Sequence, residues 1–176
     1  METVKRFGHR TFSSLKIRNY RLYFIGQGIS LSGTWMQTVA LGLLVLQLTH
    51  SGTILGIVLA LQFLPILLFG PIAGVMIDRY SKRKMLYLTQ SAAAILALLM
   101  GLFLFFGVIQ IGMVYVFAIC LGIITAIDSP TRQAFLMELV GKDGIKNAIA
   151  LNSSEVNLAR ILGPALGGIV IAAVGL

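Results

Sequence analysis

Charge is scarce in this sequence. Only 11% of its 176 residues are charged, while 57% are hydrophobic. A soluble domain carries about 25% charged residues. The shortage excludes a water-soluble fold and makes the bilayer the expected solvent. Acids are scarcer still: six Asp and Glu stand against fourteen Lys and Arg, for a net charge of +8. The single cysteine, Cys120, lies inside an apolar run, so an internal disulfide is excluded and nothing follows about redox compartment. Two histidines, with no HExxH, no G-x-S-x-G and no phosphate-binding P-loop, argue against the common hydrolase classes. A missing P-loop also argues against an ATP-driven pump, unless the nucleotide-binding domain lies on another chain. No cofactor and no metal ligand set is expected.

What the sequence does have is long apolar runs and a strict placement of its cations. Gly70 to Leu86 reads GPIAGVMIDRYSKRKML. Here a short hinge with Asp78, Arg79, Lys82, Arg83 and Lys84 separates two apolar segments of membrane length. Residues 1–21 form a basic tail with Lys5, Arg6, Arg10, Lys16, Arg18 and Arg21 against one acid, Glu2. With Phe7, Phe12, Leu15 and Ile17 interleaved, it is either an amphipathic segment on the inner leaflet or a solvated tail that sets topology. It does not read as a cleavable signal, because no small-residue cleavage site follows. The cations sit in short loops beside apolar spans and not on a soluble face, so nucleic acid is rejected as a partner.

Five spans are predicted, at 20–48, 53–77, 84–107, 112–128 and 145–176. The first contains Gln27, Ser30, Thr34, Gln37 and Thr38, whose spacings of three and four place them on one helical face. Lipid cannot satisfy such a stripe, so it should face other helices or a water-filled cavity. The second span carries the pairs Gly52/Gly56 and Gly70/Gly74, which permit close helix approach, and Pro65, which is expected to kink it. The third has few polar groups beyond Thr89, Gln90 and Ser91. The fourth ends at Asp128, Ser129 and Pro130. A connection with helical character around 132–139 follows. The fifth span is the most polar, with Asn147, Asn152, Ser153, Ser154, Glu155, Asn157 and Arg160 ahead of GPALGG.

Thirteen of the fourteen Lys and Arg lie in the tail, the 78–84 hinge and the 128–146 connection, and the turns at 49–52 and 108–111 have none. By the positive-inside rule the N-terminus is expected in the cytoplasm. The exception is Arg160, roughly 20 Å along the helix from Ile145 and near the bilayer midplane. An ionisable group at that depth is a functional candidate. Arg160 shares a face with Gly163, Pro164 and Gly167 and is expected to meet an anionic substrate or a carboxylate on another helix. Glu155 and Asp128 are the candidate proton or charge-relay groups, since a buried carboxyl suits proton carriage. Asp128 could instead pair with Arg79 or Arg132. The last residues, Gly175-Leu176, fall inside an apolar helix, and the chain is expected to continue.

These residues resemble the major facilitator superfamily, in its bacterial drug, macrolide and siderophore exporter branch. The family's hinge signature G-x-L-A-D-R-x-G-R-K-x-x-L is matched by Gly74, Asp78, Arg79, Lys82, Arg83 and Leu86, with departures at Met76, Ile77 and Ser81. Its fifth-helix G-P-x-x-G-G is matched by Gly163, Pro164, Gly167 and Gly168, while Ala150 and Ala159 replace upstream glycines. Its fourth-helix arginine has no counterpart, Ala118 standing there. The resemblance covers residues 15–176. It implies an all-α polytopic membrane protein, holding five helices of a six-helix N-terminal bundle, in a bacterial cytoplasmic membrane. It implies proton-coupled export of small molecules by alternating access, with a second half of the transporter as partner. In the family, the Asp78 position meets a helix of that second half and closes the cytoplasmic side. An uptake carrier of the same architecture, and a non-transporting module that pairs with another chain, remain alternatives.

Overall fold

A computed structural model describes residues 14–174, apart from the side chains at 71–73, 75, 76, 143 and 174. Most of the basic tail (residues 1–13), the Met76 departure and the last two residues therefore lie outside the described residues. The described chain is helical throughout, with short turns between helices and no strand. A short 3-10 turn at Ser14–Lys16 leads into α1 (Arg18–Thr49), α2 (Gly52–Arg79) and α3 (Lys82–Phe105). A long helical stretch, Ile111–Val174, follows. Gly141 interrupts it with φ 67 and ψ −177, a conformation that side chains with a Cβ rarely adopt. The break yields two membrane-length helices, α4 (Ile111–Lys142) and α5 (Gly144–Ala173). Five helices are thus long and apolar enough to cross a membrane.

The turns between helices have local causes. At the end of α1, His50 takes a positive φ of 50, and its N–H bonds to the Leu46 carbonyl at 2.8 Å. At the end of α3, Gly107 takes φ 66. The Val108 N–H reaches back to Phe103 and the Gly107 N–H to Leu104, each at 3.0 Å, so the last carbonyls stay bonded. No such device follows Asp128. α4 runs on through Ser129-Pro130 and the stretch read from sequence as a connection. Pro130 lacks the N–H that would bond to the Ala126 carbonyl, and the helix continues through it; the next residue, Thr131, bonds its hydroxyl to the Ile127 carbonyl.

The helices divide into two compact units. One holds α1 up to Ala40 together with the chain from Phe135 onward. The other spans Leu41–Ala134. The second unit packs Leu41, Leu44, Val45, Val58, Met100, Ile109, Val114, Phe117 and Ala118 into a buried cluster beside the uncharged turns. The first packs Tyr20, Leu136, Val140, Ala148 and Leu151. Beside that cluster, Ser14 donates its N–H to Asn147 and its hydroxyl to the Gly144 carbonyl, and the Tyr20 hydroxyl donates to the Ala148 carbonyl. These bonds tie the start of the described chain to the first turn of α5.

Long apolar side chains such as Ile29, Leu67, Leu88 and Ile169 are exposed in large number. In water this would be an aggregation hazard, whereas in a bilayer it is the surface that lipid wets. Hydroxyls inside the spans are bonded to their own helix: Ser32 to Gly28, Thr34 to Ser30, Thr38 to Thr34 and Thr125 to Leu121. That is the local solution where water is absent.

Candidate functional site

In the first unit α1 and α5 face each other along a seam of small residues. A Cβ on Gly163 would strike the Trp35 Cβ and come within 3.0 Å of the Ser32 carbonyl. On Gly167 it would come within 3.4 Å of the Met36 Cα. Glycine at both positions lets the α1 backbone lie against α5. Gly168, next in the same motif, is exposed with nothing near it, and Pro164 is half-buried. The helix continues through Gly163-Pro164 without a break.

Further along the seam the polar residues sort by depth into the protein. Gln27 is buried, and its amide N–H donates to the Asn152 side-chain oxygen. Glu155 is also buried, its carboxylate against Gly28, where a Cβ would lie 2.9 Å from Oε1. Ser30 and Gln37 are half-buried and Thr34 is exposed. On α5, Ser153, Asn157 and Arg160 are exposed. The guanidinium of Arg160 lies over the Trp35 ring, 5.1 Å from its centroid. The stripe read from spacing therefore divides. Gln27 belongs to the α1–α5 contact, while Thr34 and Arg160 lie on an open polar surface.

The second unit holds a different charged centre. Asp128 on α4 accepts from the Thr89 hydroxyl at 2.6 Å and from the Gln90 amide at 3.0 Å, both on Oδ1. Its Oδ2 accepts from Arg132 Nε, one turn along α4. Three donors, one of them cationic, hold the carboxylate, and the two from α3 fasten α3 to α4. Asp128 thus pairs with Arg132. The hinge residues are elsewhere in character: Gly74, Asp78, Arg79 and Arg83 are exposed and Lys82 half-buried. Arg83 donates to the Tyr87 hydroxyl at 3.3 Å on its own helix.

Three of these residues were not singled out from sequence as site residues: Trp35, Thr89 and Gln90. Trp35 was legible as an aromatic three residues before Thr38 on the polar helix, but nothing in the pattern pairs it with Arg160. Thr89 and Gln90 sat at the start of an otherwise apolar span, and that polar spot was their only signal. Close packing falls on Gly163 and Gly167 of the expected glycines and also on Gly122. Among the described residues nothing lies within 4 Å of a Cβ at Gly52, Gly56, Gly70 or Gly74, while Gly122 meets the Gln62 carbonyl and Pro65. The GxxxG spacing marks where a helix could approach, not where one does.

Comparison with known proteins gives this geometry its context. A family model described as transmembrane secretion effector matches residues 9–176. The staphyloferrin A transporter of Staphylococcus aureus is 32% identical over 153 residues, covering 86% of this chain and 38% of that one. Macrolide efflux protein A of Streptococcus pyogenes is 24% identical over 159 residues, covering 88% and 39%. The enterobactin exporter of Citrobacter koseri is 23% identical over 156 residues, covering 89% and 38%. The chain thus spans under half the length of the curated relatives it matches. No solved structure matches it. With five membrane-length helices and this family match, the chain belongs to the transmembrane secretion effector family of the major facilitator superfamily, a family of multi-pass membrane transporters and not of enzymes.

Proposed function

We propose that this chain is part of a secondary transporter that exports small molecules across a bacterial cytoplasmic membrane by alternating access, driven by protons. One observation carries the reading: an exposed polar surface, with a guanidinium near mid-depth, on helices otherwise apolar enough for lipid. Lipid cannot satisfy such a surface, and a substrate path can. Two relatives named for macrolide efflux and enterobactin export support the outward direction.

Roles follow from position. Thr34, Ser30, Gln37 and Arg160 face or flank the path. Glu155 is the proton carrier, buried beside the path and separated from Arg160 by more than one turn of α5. Asp128, held by three donors, is an anchor first and a charge relay only when those bonds open. Asp78 and the cations at 79, 82 and 83 form a cytoplasmic latch to helices that complete the transporter, and Gly163, Pro164 and Gly167 keep α5 tight on α1. The basic hinge and tail put the N-terminus in the cytoplasm. The partners are the lipid bilayer, the small-molecule substrate and the remaining helices of the transporter.

The test is a coupling measurement in everted vesicles. Glu155→Gln preserves shape and polarity but carries no proton. It is expected to abolish uphill, gradient-driven transport while leaving downhill exchange at about the wild-type rate. Asp78→Asn is expected to lower export at unchanged membrane abundance. Uphill transport that survives Glu155→Gln would remove Glu155 from the coupling step.

A further inference from the structure

Arg160 stands about 24 Å along α5 from Gly144 and about 20 Å from Ala173, at 1.5 Å of rise per residue. Neither end of the span is close, so a lipid phosphate is out of reach of an unextended side chain. Yet the residue is exposed. Among the described residues its contact is the Trp35 ring and not a carboxylate. A ring over one face of a planar guanidinium leaves the in-plane N–H donors open. Those donors suit the two oxygens of a carboxylate, which a guanidinium binds in a fork.

The surroundings point the same way. The described acids of this unit are Glu138 and Glu155. Glu155 is buried against Gly28, off the Arg160 face, and Glu138 belongs to α4. Neither of these two described acids therefore stands on the Arg160 face. On the same side of α5, Asn157 and Ser153 are exposed at spacings of three and four, and Thr34 is exposed on α1 beside Trp35. Amide and hydroxyl groups beside an open guanidinium form a surface for a polar anion, not for an apolar or cationic drug. Gly163 has a part in this. It lies three residues beyond Arg160 on the same face and admits the Trp35 Cβ, which seats the indole under the guanidinium.

We propose that Arg160, carried on the Trp35 ring, binds a carboxylate-bearing small molecule, with Asn157 and Ser153 taking its hydroxyl or amide groups and Gly163 acting as the positioning residue for Trp35. This names the substrate class of the export path and rests on the export reading.

The experiment is calorimetric titration of the intact protein in lipid nanodiscs with citrate, a small tricarboxylate, and with its neutral trimethyl ester as control. Wild type is expected to bind citrate and not the ester. Arg160→Gln should weaken citrate binding about tenfold or more, the loss of a charge-assisted bond. Arg160→Lys, which keeps the charge for folding but lacks the fork, should weaken it several-fold. Trp35→Leu should weaken it about two- to fivefold through the lost cation–π contact, and Gly163→Ala should do the same by displacing the ring. Trp35 is the one tryptophan of this chain, so citrate should also change its emission, and should not do so in Arg160→Gln.

Three results would overturn the proposal: citrate binding unchanged in Arg160→Gln and Arg160→Lys, equal binding of the ester, or no citrate binding by protein that melts cooperatively. The two readings fail separately. Arg160-dependent citrate binding without any transport in vesicles keeps this site and removes export. Carboxylate export that runs unchanged in Arg160→Gln keeps export and removes this site.

Discussion

Asp128 shows how much one residue's neighbours decide. From sequence it was a carboxylate at a helix end beside Pro130, open to several roles. In the fold it accepts from Thr89, Gln90 and Arg132, and each bond removes some of its freedom to move. Asp128→Asn is expected to lower stability by about 1–3 kcal/mol, because it leaves the partly buried Arg132 without its counter-charge. Thr89→Val should lose about 1 kcal/mol, having removed one neutral donor. Thermal unfolding in detergent measures both. If the asparagine variant melts with wild type, the anchoring role is wrong. Glu155 contrasts with it: also a carboxylate, but buried against Gly28.

Among the elements, the glycines separate helices that touch from helices that only could. Gly122 on α4 lies against the Gln62 carbonyl and the Pro65 ring of α2, with Pro65 Cγ 2.9 Å from where a Cβ would be. The obstacle is backbone and a rigid ring, neither of which can rotate away. Gly122→Ala is therefore expected to force the helices apart and lower stability by about 1–3 kcal/mol. Gly56→Ala and Gly74→Ala meet open space and should stay within about 0.5 kcal/mol of wild type, or gain slightly from helix propensity. The same melting experiment ranks all three, and a Gly74→Ala loss as large as that of Gly122→Ala would contradict the packing described. Both sets share GxxxG-like spacing or glycine content, so sequence could not rank them. What differs is the partner across the gap. The long α4 illustrates the same point in reverse. Asp-Ser-Pro reads as a stop, but the helix passes through it and breaks at Gly141, where the backbone takes a glycine-favoured conformation.

For the whole molecule, membrane topology is the property that most of the functional reading depends on. Single cysteines placed at His50, Gln110 and Lys82, in a Cys120→Ser background, sample the two uncharged turns and the cationic hinge. A membrane-impermeant maleimide added outside intact cells is expected to label positions 50 and 110 and spare 82. Labelling of 82 together with 50 and 110 from one side would invalidate the cytoplasmic latch and the assignment of the N-terminus.

The sequence by itself determined the solvent and the number of crossings. Too few charges to live in water, and cations confined to alternate loops, are properties of the chain that no packing can alter. It also located the ionisable groups, since a guanidinium in an apolar run is conspicuous whatever surrounds it. Tertiary structure alone decided who meets whom. Spacing along α1 put Gln27 and Thr34 in one stripe, but the approach of α5 buried the first against Asn152 and left the second open. Trp35 under Arg160, and Thr89 and Gln90 on Asp128, are pairings between residues 125 and about 38 positions apart. Helical periodicity fixes a side chain's direction from its own axis. It carries no information about the axis opposite, and these side-chain pairings lie where two axes meet.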